Sequence, residues 1–400
     1  MGYRITRLAV EGFKSISKKQ SIRIEPLTIL AGANSSRKSS IMQPLLLLKQ
    51  TLDAPYDPGG LKIDGENVKF SSADQFLSRN TRNLDLEIGV GGNATLGLTF
   101  AKTPTAPFGV VEQRWTDDDR TGSIRVDDPK VSRDRFWLRP AEPGETLTTK
   151  IQTAKKVQLP PISFLQQLIQ KVIHVPGLRG HRERLYPVAN TGPLFPATFD
   201  YYLASVIEHW QLASSEKIEA LNRDLLQLGL TRKVVARRIT DVGLDLQVSR
   251  LIGRKSDMVS IADVGFGVSQ VLPVLVALRV ATTGQLVYLE EPEIHLHPRA
   301  QTKLADVLAD AAERGVRVVA ETHSSLLLTA IQTLVAKRKL RPELVKLHWF
   351  QRDPKTGITQ VSSADLDENG AFGDWPEDFD SVALDAEGAY LDAVESRQVG

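Results

Sequence analysis

The sequence predicts an α/β protein built around a parallel sheet, and three observations predict it. Short, predominantly apolar runs at Leu27–Ala31, Leu286–Leu289 and Val318–Ala320 read as strands buried on both faces. Each run stops abruptly at small or charged residues, as strands of an open α/β sheet do at the edge where ligands bind. From Val264 onward, helical and strand patterns alternate, which is the signature of β-α-β units. With 42% hydrophobic and 24% charged residues, the 400-residue chain has ordinary globular composition and enough apolar side chains for a full core. Its 50 basic and 48 acidic residues leave a formal charge of +2, which neither requires nor excludes nucleic acid. The absence of cysteine excludes disulfides, thiolate nucleophiles and cysteine-type zinc sites, and fits a cytoplasmic location. Met1–Arg7 carries no apolar signal stretch, and no apolar run approaches the ~20 residues that span a bilayer, so no membrane partner is expected.

Taken in order, Ile5–Val10 and Ser21–Glu25 alternate apolar and polar residues like paired strands. Pro26 precedes the buried strand Leu27–Ala31, a small-residue loop runs from Gly32 to Ser40, and Ile41–Leu52 reads as a helix with an apolar cluster at Leu45–Leu48. Residues 61–102 show short strands with a turn at Gly91-Gly92-Asn93, whereas 103–150, rich in Pro, Thr, Asp and Arg, read as loops or an irregular insert. Lys171–Val175 reads as a strand, Phe199–Leu228 as two helices broken near Ser214-Ser215, and Val234–Ile261 as short strands around Gly243 and Gly253. Beyond Val264 come a helix, strand Leu286–Leu289, helix Arg299–Arg314, strand Val316–Ala320 and a further helix. No heptads recur, so no coiled-coil arms are expected.

Three sites carry chemistry. Gly32-Ala33-Asn34-Ser35-Ser36-Arg37-Lys38-Ser39-Ser40 follows a buried strand and opens a helix, the context of a Walker A phosphate loop. Backbone N–H groups of such a loop wrap phosphates, a lysine (Lys38) reaches the β- and γ-phosphates, and a hydroxyl (Ser39) holds Mg²⁺. Arg37 stands where the pattern has glycine, which is favoured there because the backbone curls without room for a Cβ; its guanidinium is also a candidate phosphate contact. The plain alternative is a helix N-terminus that happens to contain Lys-Ser. Second, Leu286–Leu289 runs into Glu290-Glu291-Pro292-Glu293; two acids against a strand end repel unless a cation lies between them, so Glu290 is assigned to Mg²⁺ and Glu291 to the general base. Third, Glu321-Thr322-His323-Ser324 ends another buried strand, and His323 is placed to sense a γ-phosphate. His295 and His297 resemble a zinc pair, but with no third ligand nearby a loop contact is the better reading.

Together these motifs resemble the ABC-type ATPase superfamily, nearest the branch that includes RecF, SMC heads and the overcoming-lysogenization-defect (OLD) ATPases. The superfamily's order (Walker A, signature, Walker B, switch histidine) is matched by Gly32–Ser39, Gly265–Gln270, Leu286–Glu291 and His323. The resemblance implies an ABC-ATPase head with an antiparallel β subdomain and a mixed α/β insert: core 1–100 and 240–400, with 101–239 as an insert of loops and helices. Gly12-Phe13-Lys14-Ser15-Ile16 looks like the branch's opening strand-turn, from which Lys14 would approach the nucleotide. In the signature region Gly267 matches the second glycine, while Gly265 stands where serine is usual and Ser269 is the candidate substitute. In this superfamily that turn faces the ATP of the other subunit, so a head-to-tail homodimer, or higher homo-oligomer, is implied. Arg179, Arg182 and Arg184 form the densest basic cluster, which reads equally as a contact to nucleotide, nucleic acid or a partner and as a surface salt-bridge network. The segment Asn369–Pro376, with Phe372 and Trp375, also looks like the tail of standalone ATPases of this branch. OLD enzymes carry a Toprim nuclease after the ATPase, and the roughly 77 residues after His323 leave no room for one. The expectation is an ATP- and Mg²⁺-dependent dimeric switch of the antiphage-defence type that holds or licenses a separate effector such as a nuclease. The rivals are a RecF-like DNA-maintenance ATPase and a scaffold in which Arg37 limits hydrolysis.

Overall fold

The computed structural model describes residues 4–33, 36–79, 81–91, 94–103, 106–117, 120–126, 131–135, 137–140, 162–179, 184–250 and 257–373. The first half of the chain contains β1 (Arg7–Glu11), β2 (Gln20–Arg23), β3 (Leu27–Gly32), α1 (Gln43–Leu52), β4 (Asn83–Gly89), β5 (Thr95–Thr103), β6 (Ala106–Asp117), β7 (Arg120–Arg125), β8 (Val131–Asp134), β9 (Trp137–Pro140), α2 (Ile162–Gln170), β10 (Ile173–Val175) and β11 (Tyr186–Pro187). Then follow α3 (Leu203–Leu212), α4 (Glu216–Gln227), β12 (Val234–Thr240), β13 (Gly243–Ser249), β14 (Met258–Ser260), α5 (Phe266–Val280), β15 (Leu286–Glu290), α6 (Pro298–Glu313), β16 (Arg317–Thr322), α7 (Ser325–Ala336), β17 (Val345–Arg352) and β18 (Thr359–Asp365).

The central sheet has the order β10-β15-β16-β3-β17-β18; its neighbours run parallel except for β18, which pairs antiparallel with β17. A second sheet, β2-β1-β4-β5-β6-β7, is antiparallel. Successive strand residues point to opposite faces, so each central strand feeds two cores. Leu27, Ile29, Val287, Leu289, Val318 and Ala320 pack with the apolar faces of α3–α7. Leu30, Leu286, Tyr288, Val319 and Phe350 pack on the other face, with α1, α2 and the antiparallel sheet. This two-sided burial is why the strands read as continuous apolar runs rather than alternating ones.

The structure departs from the sequence reading at residues 103–150. Strands β6–β9 occupy 106–140, and β6 and β7 extend the antiparallel sheet; 141–161 lie outside the described residues. Phe108, Val110, Gln113 and Trp115 turn inward, but the polar residues between them masked the strand pattern. Strand β10 also lies within 101–239, yet it pairs with β15 at the edge of the central sheet. The helix read from Ile41 begins two residues later, at Gln43 with Pro44 in its first turn, behind a 3₁₀ turn at Lys38–Ile41. The break between α3 and α4 falls at Ser214-Ser215 as read, where the Ser215 hydroxyl caps α4 by accepting from Lys217 N–H. Gly92, Asn93, Gly253 and Trp375 lie outside the described residues; Phe372 is buried in the helical core. No described helix is long and apolar enough to cross a membrane.

His348 of β17 ties the two sheets together. Its Nε2 bonds the carbonyl of Arg23 in β2 at 2.8 Å, and Nδ1 lies 2.7 Å from the Ser363 hydroxyl of β18. Burial pushes the imidazole down to about 4 and outweighs the hydrogen bond to Arg23. The ring is therefore neutral in the fold but titrates near 6.5 when unfolded, so acidification below 6.5 favours unfolding. Urea unfolding at pH 8 and pH 5 is expected to show a loss of about 2 kcal/mol from this group, absent in His348→Gln.

Candidate functional site

The parallel sheet gathers four strand ends at one edge. β3 delivers Gly32, β15 delivers Glu290 and Glu291, β16 delivers Glu321, Thr322 and His323, and β10 leads to Gly177 and Arg179. Register sets Glu290 beside Glu321, and His174 beside Tyr288 with the two rings stacked at 5.3 Å. Gly32 has φ 150°, and a Cβ there would lie 2.3 Å from the Phe350 carbonyl oxygen, so only glycine lets the chain leave β3 at this point. Arg37 adopts the left-handed conformation (φ 60°, ψ 44°) that the loop pattern reserves for glycine.

Lys38 is 4% exposed. Its Nζ lies 2.6 Å from His323 Nε2, 3.4 Å from the Gly32 carbonyl and 3.9 Å from Glu291 Oε1. Burial lowers its pKa, and the carboxylates of Glu321, Glu291 and Glu293 oppose that. His323 Nε2 is also 3.1 Å from Glu291 Oε1; burial, then the Lys38 ammonium, push the ring down to about 4, so it is neutral near pH 7. The Ser39 hydroxyl donates to Glu321 Oε2 at 2.7 Å, and Tyr288 OH bonds the other Glu321 oxygen. Burial, then Glu290, push Glu321 up to about 8. Ser36 and Ser40 are buried within the loop, and Ser36 Oγ has no hydrogen-bond partner among the described residues. Asn34 lies outside the described residues.

The acids after β15 are held differently from one another. Burial would raise Glu290, but His174 Nε2 at 3.1 Å from Oε1 and Gly177 N–H at 3.1 Å from Oε2 outweigh it and keep this carboxylate below its usual range. Glu291, with φ 45°, is pushed up to about 7 by burial and by Glu293. Glu293 is buried and raised by desolvation; Thr322 Oγ1 and His323 N–H bond one of its oxygens, and Oε2 has no described partner. Arg179 reaches across this turn, donating to the carbonyls of Glu290 at 2.8 Å and Glu291 at 2.7 Å. The loop that leaves β3, a buried lysine and clustered acids thus gather at one sheet edge, the edge at which open α/β sheets bind ligands.

A profile of the family described as "AAA domain, putative AbiEii toxin, Type IV TA system" matches residues 27–329, from the first residue of β3 into α7. The chain belongs to this AAA-domain family. Among curated proteins none matches. Solved structures with a similar fold include an SMC head bound to the C-winged helix domain of ScpA (14% identity, TM-score 0.49, covering 91% of this chain and 98% of that one). Others are the SMC head domain of Thermotoga maritima (13%, 0.43, 91% and 100%) and an SMC head with an extended coiled coil bound to the C-terminal domain of ScpA derived from Pyrococcus furiosus (12%, 0.45, 98% and 100%).

The remaining predicted residues of this AAA domain fall into two groups. Lys14, with φ 51°, donates to Gln43 Oε1 at 2.6 Å and is pushed down to about 8 by burial and by Arg37. With Arg37, Arg79, Arg352 and Lys355 it lines a cleft of about 650 Å³ beside the loop that leaves β3, where Asp74 is the one acid among the described lining residues. Gly265, Gly267 and Ser269 lie apart from this site at the N-terminus of α5, where Gly265 is exposed and Phe266 is 73% exposed. The Ser269 hydroxyl donates to the Phe266 carbonyl within its own turn. His297 caps α6 and the His295 ring lies 5.9 Å from Phe266; no group of three or more His, Asp or Glu that would hold a metal occurs among the described residues. Arg179 is buried rather than part of a surface cluster, Arg184 pairs with Asp263, and Arg182 lies outside the described residues.

Sequence reasoning missed Glu321, Glu293, His174 and Tyr288, and left Arg179 between a ligand contact and a surface salt-bridge network. For Glu321 a signal existed: it ends an apolar strand exactly as Glu290 does. The loop geometry separates two substitutions. Gly32→Ala is expected to cost about 3 kcal/mol or more, through clash and forced backbone. Arg37→Gly is expected to shift stability by less than about 1 kcal/mol, because relief of the left-handed conformation offsets glycine's added chain entropy. Urea titrations of both variants check this.

Proposed function

We propose that this AAA domain binds ATP with Mg²⁺ and hydrolyses it as a head-to-tail dimeric switch. The observation that carries the reading is the Lys38–His323–Glu291 cluster, spanning 2.6 to 3.9 Å, directly beside the Ser39–Glu321 pair. The Ser36 hydroxyl, without a partner among the described residues, the buried ammonium and the basic cleft all fit a polyphosphate. Ser39 and Glu290 would hold Mg²⁺, which supplies charge neutralisation on the phosphate oxygens. Lys38 binds and neutralises the terminal phosphates. Glu291, raised toward neutrality, orients water and accepts its proton. The neutral His323 ring accepts from the Lys38 ammonium at Nε2, which also lies beside Glu291, and reports the occupant of the space between them. The Gly267 turn, exposed at the helix N-terminus, is the surface offered to the nucleotide of a second copy. The motif resemblance supports a switch that licenses a separate effector such as a nuclease.

Purified protein is expected to hydrolyse ATP only with Mg²⁺. Glu291→Gln should lower kcat at least about 100-fold while nucleotide still binds, and should double in mass with ATP on light-scattering chromatography. Lys38→Ala should lose nucleotide binding. Turnover by Arg37→Gly alone, with none by the parent, would replace this reading with the scaffold. Salt-sensitive DNA binding that stimulates turnover would favour a RecF-like role.

A further inference from the structure

Residues 174–179, which lead out of β10, surround the Glu290-Glu291 turn. His174 and Gly177 hold the Glu290 carboxylate, and the Arg179 guanidinium spans two successive carbonyls, those of Glu290 and Glu291. Glu291 is held from the other side as well, since its N–H donates to the Glu321 carbonyl at 3.0 Å. Between these two anchors Glu291 keeps a left-handed backbone, a conformation disfavoured for a non-glycine residue that persists only when its surroundings impose it. Arg179 is itself held from α5: the Gln270 side-chain amide donates to the Arg179 carbonyl.

Helix α5 makes this contact informative. From Val271 to Leu278 every residue is buried, so the helix is clamped along its length, while its first turn, Gly265–Gly267, emerges at the surface. Gln270 lies one turn inside that exposed end. A push or pull on the signature turn therefore reaches Gln270, then Arg179, then the backbone that carries Glu291. Arg179 also has unused capacity: its Nε and Glu293 Oε2 are both buried without hydrogen-bond partners among the described residues, and their charges attract.

We infer that Arg179 is a positioning residue that, through Gln270, couples the exposed signature turn of α5 to the backbone conformation of Glu291. The brace stands on geometry alone; its coupling to turnover rests on the ATPase reading above. Arg179→Lys keeps the charge but loses the two-carbonyl grip, and Gln270→Ala cuts the link to α5 while leaving the guanidinium intact.

Both variants of the full chain are tested by two measurements. In hydrogen–deuterium exchange of the nucleotide-free protein, the Ile294 and Leu296 amides, which close the turn by bonding the Glu291 and Glu293 carbonyls, are expected to exchange at least about fivefold faster, with α6 unchanged. Exchange unchanged in Gln270→Ala overturns the tie, whether or not ATP is hydrolysed. In steady-state assays, kcat is expected to fall about tenfold or more with KM for MgATP within about threefold, the pattern of a lost transition-state arrangement rather than lost binding. A kcat within about twofold of the parent's in Gln270→Ala overturns the coupling even where exchange rises. A parent that binds ATP without turnover defeats the ATPase reading instead, and the exchange measurement still decides the brace.

Discussion

A buried ammonium at the carboxyl edge of a parallel sheet is the constraint around which this protein is organised. Lys38 is almost wholly removed from water, and an unpaired buried charge costs several kcal/mol. Glu321, Glu291 and Glu293 supply the opposing field, each from a different point of the β15 and β16 ends. Those acids are themselves raised by burial, and the lysine draws Glu291 and Glu321 back down. Only adjacent parallel strands ending at one level bring such groups together, because they release their following loops on the same side. The two cores on either face of the sheet hold those ends in register.

Backbone strain is shared between the site and the rest of the fold: among the described residues Lys14, Arg37 and Glu291 have positive φ in the site segments, while Arg135, Ala197, Ser214, His295 and Arg338 have it elsewhere. Such conformations are held by their surroundings, here a sheet buried on both faces. Arg37 is instructive: its backbone takes the glycine-like conformation, so the substitution preserves the loop's shape while adding a cation to the basic cleft.

The segment from His174 to Arg179 joins what the linear motifs leave separate. It completes the central sheet through β10, fixes the Glu290 carboxylate and meets the signature helix through Gln270. Arg179, left by the sequence between a ligand contact and a surface salt-bridge network, is instead buried, 6% exposed, donating to two carbonyls and pushed down to about 10 by burial. Polar groups buried at this density are worth most when every member is satisfied, and Arg179 Nε and Glu293 Oε2 have no hydrogen-bond partner among the described residues.

By itself the sequence determined the parallel strands, the loop that leaves β3, the acid pair at a strand end and the histidine that follows, because these are local: an apolar run of fixed length, a glycine that tolerates no Cβ, a charge at a strand end. It also carried the helix break at Ser214-Ser215, since a capping hydroxyl acts within two residues. The tertiary structure alone decided that residues 106–125 extend an antiparallel sheet, that β10 belongs to the central sheet, and that Ser39 meets Glu321 while Glu290 meets His174. These partners are 282 and 116 residues apart along the chain. No local pattern encodes which of several acids at a shared edge faces which hydroxyl or imidazole; strand order and register choose, and those are set by packing of the whole sheet against its two cores.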